Sequence, residues 1–216
     1  MKSTAIETSV PGAPAPAGRA FTLIELLVVI SIIGLLAAFT LAGVGVVTKN
    51  KYISTAKAEM ASIQAALERY KSVYGFYPPC NATNILVQPL YFELQGATNG
   101  IVGGAPAFID LDGRYSVAAA NIRNSLGVDG IINVTKGGGD DLILARSFLP
   151  DLKATQIGIV TNPVGSGNPG VPIIITAAGG PDVTYTPLGA SSLNPWRYNS
   201  VNPTNNPGAY DLYVQL

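Results

Sequence analysis

The longest apolar stretch of the chain covers residues 21–47 and contains one charged side chain, Glu25. At about 1.5 Å per residue, a helix over this stretch is about 40 Å long, which exceeds the roughly 30 Å hydrocarbon core of a bilayer. The pattern therefore predicts a membrane-spanning helix over residues 21–47.

Beyond residue 47 the pattern becomes amphipathic, with apolar residues recurring at steps of three and four, as is typical of a helix with one buried face. These residues are Ile53, Ala56, Met60, Ile63, Leu67, Tyr70 and Tyr74. No proline occurs between residues 21 and 77, so we predict one continuous helix of about fifty residues that ends at Gly75, ahead of Pro78 and Pro79. We expect Ile63, Leu67 and Tyr70 to pack against a following head domain. A two-chain coiled coil is the alternative.

Residues 76–216 are rich in glycine and proline and carry frequent turn signals, which predicts a loop-rich head. Short runs of β-branched and aromatic residues indicate strands at 156–160, 171–176, 183–186 and 209–214, and short helices are predicted at 86–94 and 117–126. Four short strands separated by turns favour a small antiparallel sheet. The predicted fold class is therefore α+β, with a long N-terminal helix packed on that sheet.

Composition excludes several function classes. Only 12% of the 216 residues are charged and the net charge is zero, so we expect no nucleic-acid partner. The chain has no histidine and one cysteine, Cys80, which excludes His-dependent triads, His/Cys zinc sites and an intrachain disulfide. No nucleophile, base and oxyanion donor can be assembled from the remaining residues, so we do not expect an enzyme.

Two other segments contain candidate ligands. The sequence Asp110-Leu111-Asp112-Gly113 has the alternating carboxylates of calcium loops, but its glycine comes too early and no closing Glu follows. We interpret it as a solvated turn. Residues 137–141, Gly-Gly-Gly-Asp-Asp, are interpreted as a flexible loop, because two carboxylates would repel an anion.

The first twenty residues contain a segment rich in Pro, Ala and Gly and are predicted to form a disordered leader. In an ordinary secretory signal the apolar run precedes the cleavage site, whereas here it follows the leader and carries Glu25 in its first turn. A carboxylate inside a membrane helix needs a compensating charge. Cleavage between Ala20 and Phe21 would place a new α-amino group one helical turn from Glu25. The alternative is an uncleaved anchor with Glu25 at the membrane interface.

Residues 18–30, Gly-Arg-Ala-Phe-Thr-Leu-Ile-Glu-Leu-Leu-Val-Val-Ile, resemble the class III signal of type IV pilins and pseudopilins. The resemblance implies cleavage before Phe21 by a prepilin peptidase, N-methylation of Phe21, and Glu25 as the carboxylate that pairs with a neighbour's N-terminus during assembly. Ala20 departs from the glycine that usually precedes the cut. The resemblance also implies a single-pass protein of the inner membrane with its head in the periplasm, which assembles into a pseudopilus or a cell-surface pilus.

A second resemblance covers residues 56–59, 67–71, 77–78, 193–196 and 208–213, which are similar to the major pseudopilin of type II secretion. It leaves residues 80–190 as a long variable region. Asn194 stands before Pro195 and Trp196 where that family has Asp. The family's calcium loop lies beyond the segment matching 208–213, so calcium is implied without any ligand in this chain. We expect Trp196 to be an aromatic packing anchor, with a contact to another subunit as the alternative.

Together these patterns predict four segments: a cleaved leader (1–20), a membrane and filament-core helix (21–47), an amphipathic stem (48–75) and a head (76–216). The resemblance implies a structural subunit of a type II secretion pseudopilus. Its partners would be further copies in a helical filament, the prepilin peptidase and methyltransferase, the inner-membrane secretion platform and minor pseudopilins. The alternatives are a major or minor type IV pilin and a filament-displayed binding module. Because residues 213–216 alternate without a terminator, we expect the natural protein to extend further.

Overall fold

The computed structural model describes residues 21–161, 170–182, 184–190 and 192–216, with only the backbone of residues 40–47. The chain divides into two compact units between Val47 and Thr48. The predicted leader, residues 1–20, lies outside the described residues.

Helix α1 runs from Leu23 to Tyr74, which confirms the prediction of one continuous helix. It ends where expected, because Gly75 has a φ of 83° and its N–H donates to the Lys71 carbonyl at 2.8 Å. A glycine in this left-handed conformation is a common way to end a helix. Of the helices within the described residues, none is long and apolar enough to cross a membrane. The membrane-spanning character of residues 21–47 stays a prediction.

The described residues of the head form three small antiparallel sheets rather than the single sheet predicted. The first has the order β1-β2-β3, formed by Ala97–Val102, Ala105–Asp110 and Ser116–Ala118. The second pairs β4, Ile157–Val160, with β5, Val171–Ile174, and the third pairs β6, Arg197–Asn199, with β7, Asp211–Tyr213. Among the described residues, the α-helices of the head beyond α1 are α2, Leu90–Gln95, and α3, Ile122–Leu126. The fold is α+β, as predicted.

Several predicted head elements differ from the observed ones for local reasons. The strand expected at 183–186 is absent from its described residues, because the Asp182 carboxylate accepts the N–H and hydroxyl of Thr184 at 2.8 and 2.6 Å and forms a turn. The helix predicted from residue 86 begins only at Leu90, since Pro89 occupies its N-cap position. The β1–β2 hairpin, which was not predicted, turns at Gly103 and Gly104, whose φ angles of 59° and 82° suit a tight turn.

The apolar stripe of α1 beyond residue 48 belongs to the core of the head. Ile63, Leu67 and Tyr70 have exposed fractions of 2%, 0% and 0%. Their core cluster also contains residues of α2, of the strands and of the segment before β6, among them Phe92, Leu94, Ile173, Trp196 and Tyr198. In this chain the stem is therefore packed against its own head, and the stripe is not available to a coiled-coil partner.

Candidate functional site

The N-terminus of α1 is closed by a reciprocal pair of hydrogen bonds between Thr22 and Glu25. The Thr22 hydroxyl accepts the N–H of Glu25 at 3.3 Å. In return, Glu25 Oε2 accepts the backbone N–H of Thr22 at 2.9 Å and its hydroxyl at 2.7 Å. This arrangement is a capping box, which satisfies N–H groups that the first helical turn leaves without partners. Sequence analysis missed it, although the spacing Thr-x-x-Glu was its signal.

Glu25 is nevertheless open to a further partner. The hydrogen bonds that the structure describes for its carboxylate all reach Oε2, and the residue is exposed. A negative charge here also lies at the positive end of the helix dipole. The side chain is therefore held in one orientation and remains accessible to a cation from outside the chain.

The N-terminal segment, residues 21–39, is an apolar helix surface without a cover. Thirteen large apolar side chains between Phe21 and Phe39 are 46–81% exposed. Folded monomers rarely expose contiguous apolar patches of more than a few hundred Å². A surface of this kind requires lipid or other protein chains around it.

Inside the head, Glu93, a buried residue of α2, connects the stem to residues 132 and 133. Glu93 Oε2 accepts the Tyr70 hydroxyl at 2.9 Å and the Asn133 N–H at 3.1 Å, while Oε1 accepts the Ile132 N–H at 2.9 Å. Glu93 has an exposed fraction of 0%. Burial raises the pKa of its carboxyl, and the three hydrogen bonds and the charge of Lys136 oppose that rise.

Asn133 extends this network and uses its full hydrogen-bonding capacity. Its amide nitrogen donates to the carbonyls of Glu93 and Arg146 at 2.8 and 2.7 Å. Its Oδ1 accepts the Arg146 N–H and the Tyr74 hydroxyl, both at 2.9 Å. A buried polar network adds specificity when every member is satisfied. Here it fixes the stem, α2 and residues 132–146 relative to one another.

A second buried glutamate joins the stem to the segment after β5. Glu59 accepts the Thr176 hydroxyl at 2.6 Å and the Ala177 N–H at 3.1 Å, and only 8% of it is exposed. Sequence analysis assigned neither Glu59 nor Glu93 a role, because a carboxylate on an amphipathic helix is expected to face water.

Trp196, the predicted packing anchor, has an exposed fraction of 2%, which leaves little side-chain surface for another subunit. Its backbone N–H donates to the Ile174 carbonyl at 3.1 Å, so it continues the contact between β5 and the segment leading into β6. Cys80, which is free and 5% exposed, lies in the same head core.

The acidic turn at residues 110–113 is not fully solvated, so its interpretation is partly wrong. Asp110 is 3% exposed and accepts the Tyr91 hydroxyl at 2.7 Å and the N–H groups of Arg114 and Tyr115 at 2.7 and 3.1 Å. Asp112 remains exposed. Across the described part of the chain, no three His, Cys, Asp or Glu side chains form a group that could hold a metal ion.

The head also has a surface cavity of about 630 Å³. The lining residues that the structure describes carry no charge, and they are Asn84, Val87, Asn124, Ser125, Val160, Thr161, Val171, Pro187, Leu188 and Gly189. Such a lining offers neutral hydrogen-bonding groups and apolar contacts, and lacks a titratable group for acid–base chemistry.

Comparison with known proteins identifies one segment of the chain. Residues 17–41 match the family described as the prokaryotic N-terminal methylation motif. This segment includes Phe21, Thr22, Glu25 and the exposed apolar helix surface. No curated protein and no solved structure matches the chain.

Proposed function

We propose that this chain is a structural subunit of a helical filament, and that the filament is the pseudopilus of a type II secretion system. The methylation motif suggests a type IV pilin-like protein. The observation that carries the proposal is the exposed apolar surface of residues 21–39, which lies within that motif and requires a cover. Identical helices from neighbouring copies would provide that cover in the filament.

Each predicted segment acts at its own step of filament assembly. The leader, residues 1–20, is removed between Ala20 and Phe21 by the prepilin peptidase, and Phe21 is then N-methylated. Residues 21–47 anchor the subunit in the inner membrane before assembly and form the filament core afterwards. The stem (48–75) and the head (76–216) lie on the periplasmic side.

Glu25 is proposed as the assembly carboxylate. When apolar helices surround it, its negative charge must be compensated, since an unpaired buried charge costs several kcal/mol. The α-amino group of Phe21 on a neighbouring copy supplies a charge of the required sign. The capping box supports this role because it presents the carboxylate at the helix end in one orientation.

Ile63, Leu67, Tyr70 and Trp196 are proposed to hold the head on the stem, so that the filament displays a folded domain. The other proposed partners are the inner-membrane secretion platform and minor pseudopilins. A filament-displayed binding module is a second candidate function, favoured by the neutral cavity of about 630 Å³ in the head. A type IV pilus subunit is the alternative within the same class. A neighbouring retraction ATPase gene would favour that alternative, whereas genes for a secretion ATPase and an outer-membrane secretin without a retraction ATPase would favour secretion.

The test of the filament proposal combines mass spectrometry with filament isolation. The membrane-extracted protein should begin at Phe21 and carry one N-methyl group, and shearing of the cells should release filaments that contain it. An intact Met1 terminus in cells with active prepilin peptidase, or the absence of filaments on overexpression, would contradict the proposal.

A further inference from the structure

The hairpin of residues 136–144 projects from the head as an exposed and structurally defined element. Lys136 and Ile143 exchange two backbone hydrogen bonds of 2.9 Å each. All nine residues of the hairpin are exposed. Gly137 has a φ of 77°, and a Cβ at this position would collide with the Asp141 carbonyl, so the turn requires glycine. Residues 137–141 thus form the turn between the two bridged residues, and their flexibility stays a prediction.

The hairpin is anchored at its base by the buried network of the head. Immediately before it, the Thr135 N–H donates to the Ala97 carbonyl at 2.9 Å, and the Ala97 N–H donates to the Asn133 carbonyl at 2.9 Å. After it, the Arg146 N–H binds the Asn133 side chain. The first end of the hairpin is thus fixed to β1, and the second end is fixed to Asn133.

The segment after the turn exposes three consecutive large apolar side chains. Leu142, Ile143 and Leu144 are 49%, 66% and 63% exposed. An exposed apolar run of this kind, held by the isolated bridge between Lys136 and Ile143, is a typical contact surface, because its side chains favour association. Asp140 and Asp141 precede this run and are also exposed. The ion pairs that the described residues form are Arg114 with Asp112 and Arg123 with Asp129, so neither Asp140 nor Asp141 has such a partner there.

The stem carries a surface of complementary charge on the side of α1 that faces away from the head. Lys51 and Lys57 are exposed there and belong to neither of those ion pairs. At 100° per residue, the two lysines and four further positions up to residue 65 fall within about 120° around the helix and opposite the buried stripe. Those four positions carry small, exposed side chains: Ser54, Ala58, Ala61 and Ala65. We call this surface, residues 51, 54, 57, 58, 61 and 65, the outer stem face.

We propose that the acidic, apolar hairpin of one copy docks on the outer stem face of a second copy. This inference rests on the proposed filament and names the contact between its heads and stems. Asp140 and Asp141 would face Lys51 and Lys57, and Ile143 with its neighbours would cover the small residues between and after the lysines. A second copy is the occupant because this same chain provides both the opposite charge and an exposed face of small side chains.

Cysteine crosslinking in filaments of the full-length protein tests the contact directly. Cys80 is 5% exposed, so introduced surface cysteines will dominate the reaction. Cells would co-express one copy carrying Ile143→Cys and another carrying Ala58→Cys, Ala61→Cys or Ala65→Cys, and filaments would be oxidised before electrophoresis. We expect a disulfide-linked dimer with at least one of the three stem positions, since the reaction requires Cα atoms within about 7 Å. Val201→Cys, at a head position that is 69% exposed, is the matched control and should give no dimer with the same stem variants.

Charge exchange provides a second measurement. Asp140→Lys with Asp141→Lys should lower the yield of sheared filaments by about fivefold, which corresponds to the upper range for an exposed ion pair. Adding Lys51→Glu and Lys57→Glu to the same chain should restore the yield. All four side chains are exposed, so the melting temperature of the membrane-extracted subunit should remain unchanged.

The outcomes separate the two proposals. Normal filaments without any crosslink to the stem, or a ladder from Ile143→Cys alone, would overturn the docking inference and leave the filament proposal intact. Unrestored yield in the fourfold charge variant would likewise overturn it. If the wild-type protein forms no filament at all, the proposed function fails, and the docking inference fails with it.

Discussion

The hydroxyl of Tyr70 on α1 donates a 2.9 Å hydrogen bond to the carboxylate of Glu93 on α2, and both side chains have an exposed fraction of 0%. The two residues are 23 positions apart in the chain. This bond connects the stem directly to the head through a group that cannot exchange its partner for water. A hydrogen bond to a buried charged or polar group contributes more than one at the surface, because loss of the donor leaves the acceptor without compensation.

Tyr70→Phe should therefore lower the free energy of unfolding by about 1.5–3 kcal/mol, the range for a hydrogen bond to a charged group. Tyr74→Phe is the matched control. It removes a hydroxyl from the neutral amide of Asn133, whose Oδ1 keeps the Arg146 N–H, and should cost about 0.5–1.5 kcal/mol. Denaturant unfolding of the detergent-solubilised protein measures both. Equal losses for the two variants would contradict a special role for Glu93.

Glu93 should also make the stability of the head depend on pH. Burial raises its pKa above the ordinary value of 4.5, so the folded state binds a proton more tightly than the unfolded state. This contribution is fully present below pH 4.5 and is lost as the pH rises through the raised pKa. The melting temperature of the wild type relative to Glu93→Gln, which cannot ionise, should fall as the pH increases from 4.5. If the melting temperature of the wild type minus that of Glu93→Gln stays constant or rises with pH, the effect of the hydrogen bonds on the Glu93 pKa outweighs that of burial.

Ile63→Asp and Leu67→Asp should each unfold the head. Both side chains are buried against it, and an unpaired carboxylate there costs several kcal/mol against a typical total stability of about 5–15 kcal/mol. Ala65→Asp, at an exposed position of the same helix, controls for the charge and for helix propensity. Thermal melting followed by circular dichroism should show loss of the transition for the first two variants and a nearly wild-type curve for the third.

Glu25→Gln and Glu25→Ala should abolish filament yield without affecting cleavage or head stability. Both variants remove the charge, whereas Thr22→Ala breaks part of the capping box and keeps the carboxylate. If Glu25 acts through its charge, Thr22→Ala still assembles. If Glu25 acts only as a helix cap, Thr22→Ala and Glu25→Ala lower the filament yield to the same extent. In that case each variant loses about 1 kcal/mol of helix stability, the value typical of a lost cap. Filament yield by shearing and immunoblotting, beside the amount of processed subunit, distinguishes these results.

The long helix could be predicted from sequence because its signals are local. Apolar periodicity, the absence of proline and Gly75 all act within a few residues of the element they define. The burial of Glu59, Glu93 and Asn133 could not be predicted in this way. Glu93 meets Asn133 across 40 positions and Glu59 meets Thr176 across 117, and a single sequence carries no trace of such pairings.

In the head, local chemistry overrode intrinsic preference. Residues 183–186 have strand-forming composition. The Asp182 carboxylate nevertheless accepts hydrogen bonds from the N–H and hydroxyl of Thr184, which stabilises a turn. The β1–β2 hairpin was missed because its first strand, Ala-Thr-Asn-Gly-Ile-Val, lacks clear alternation. The capping box at Thr22 and Glu25 has a local signal in the sequence, the spacing Thr-x-x-Glu before an apolar run.

The hydrogen bonds that hold Glu25 to Thr22 have a consequence for the subunit concentration that filament growth requires. A free glutamate loses up to about 2 kcal/mol of rotamer entropy when it is fixed in a contact. Here part of that ordering is complete in the isolated subunit, because two bonds of 2.9 and 2.7 Å restrain the carboxylate. In the proposed filament each arriving subunit is thus preorganised for docking, which lowers the critical concentration for elongation. Loss of the Thr22 hydroxyl would then raise the concentration at which filaments begin to grow while leaving their final architecture unchanged.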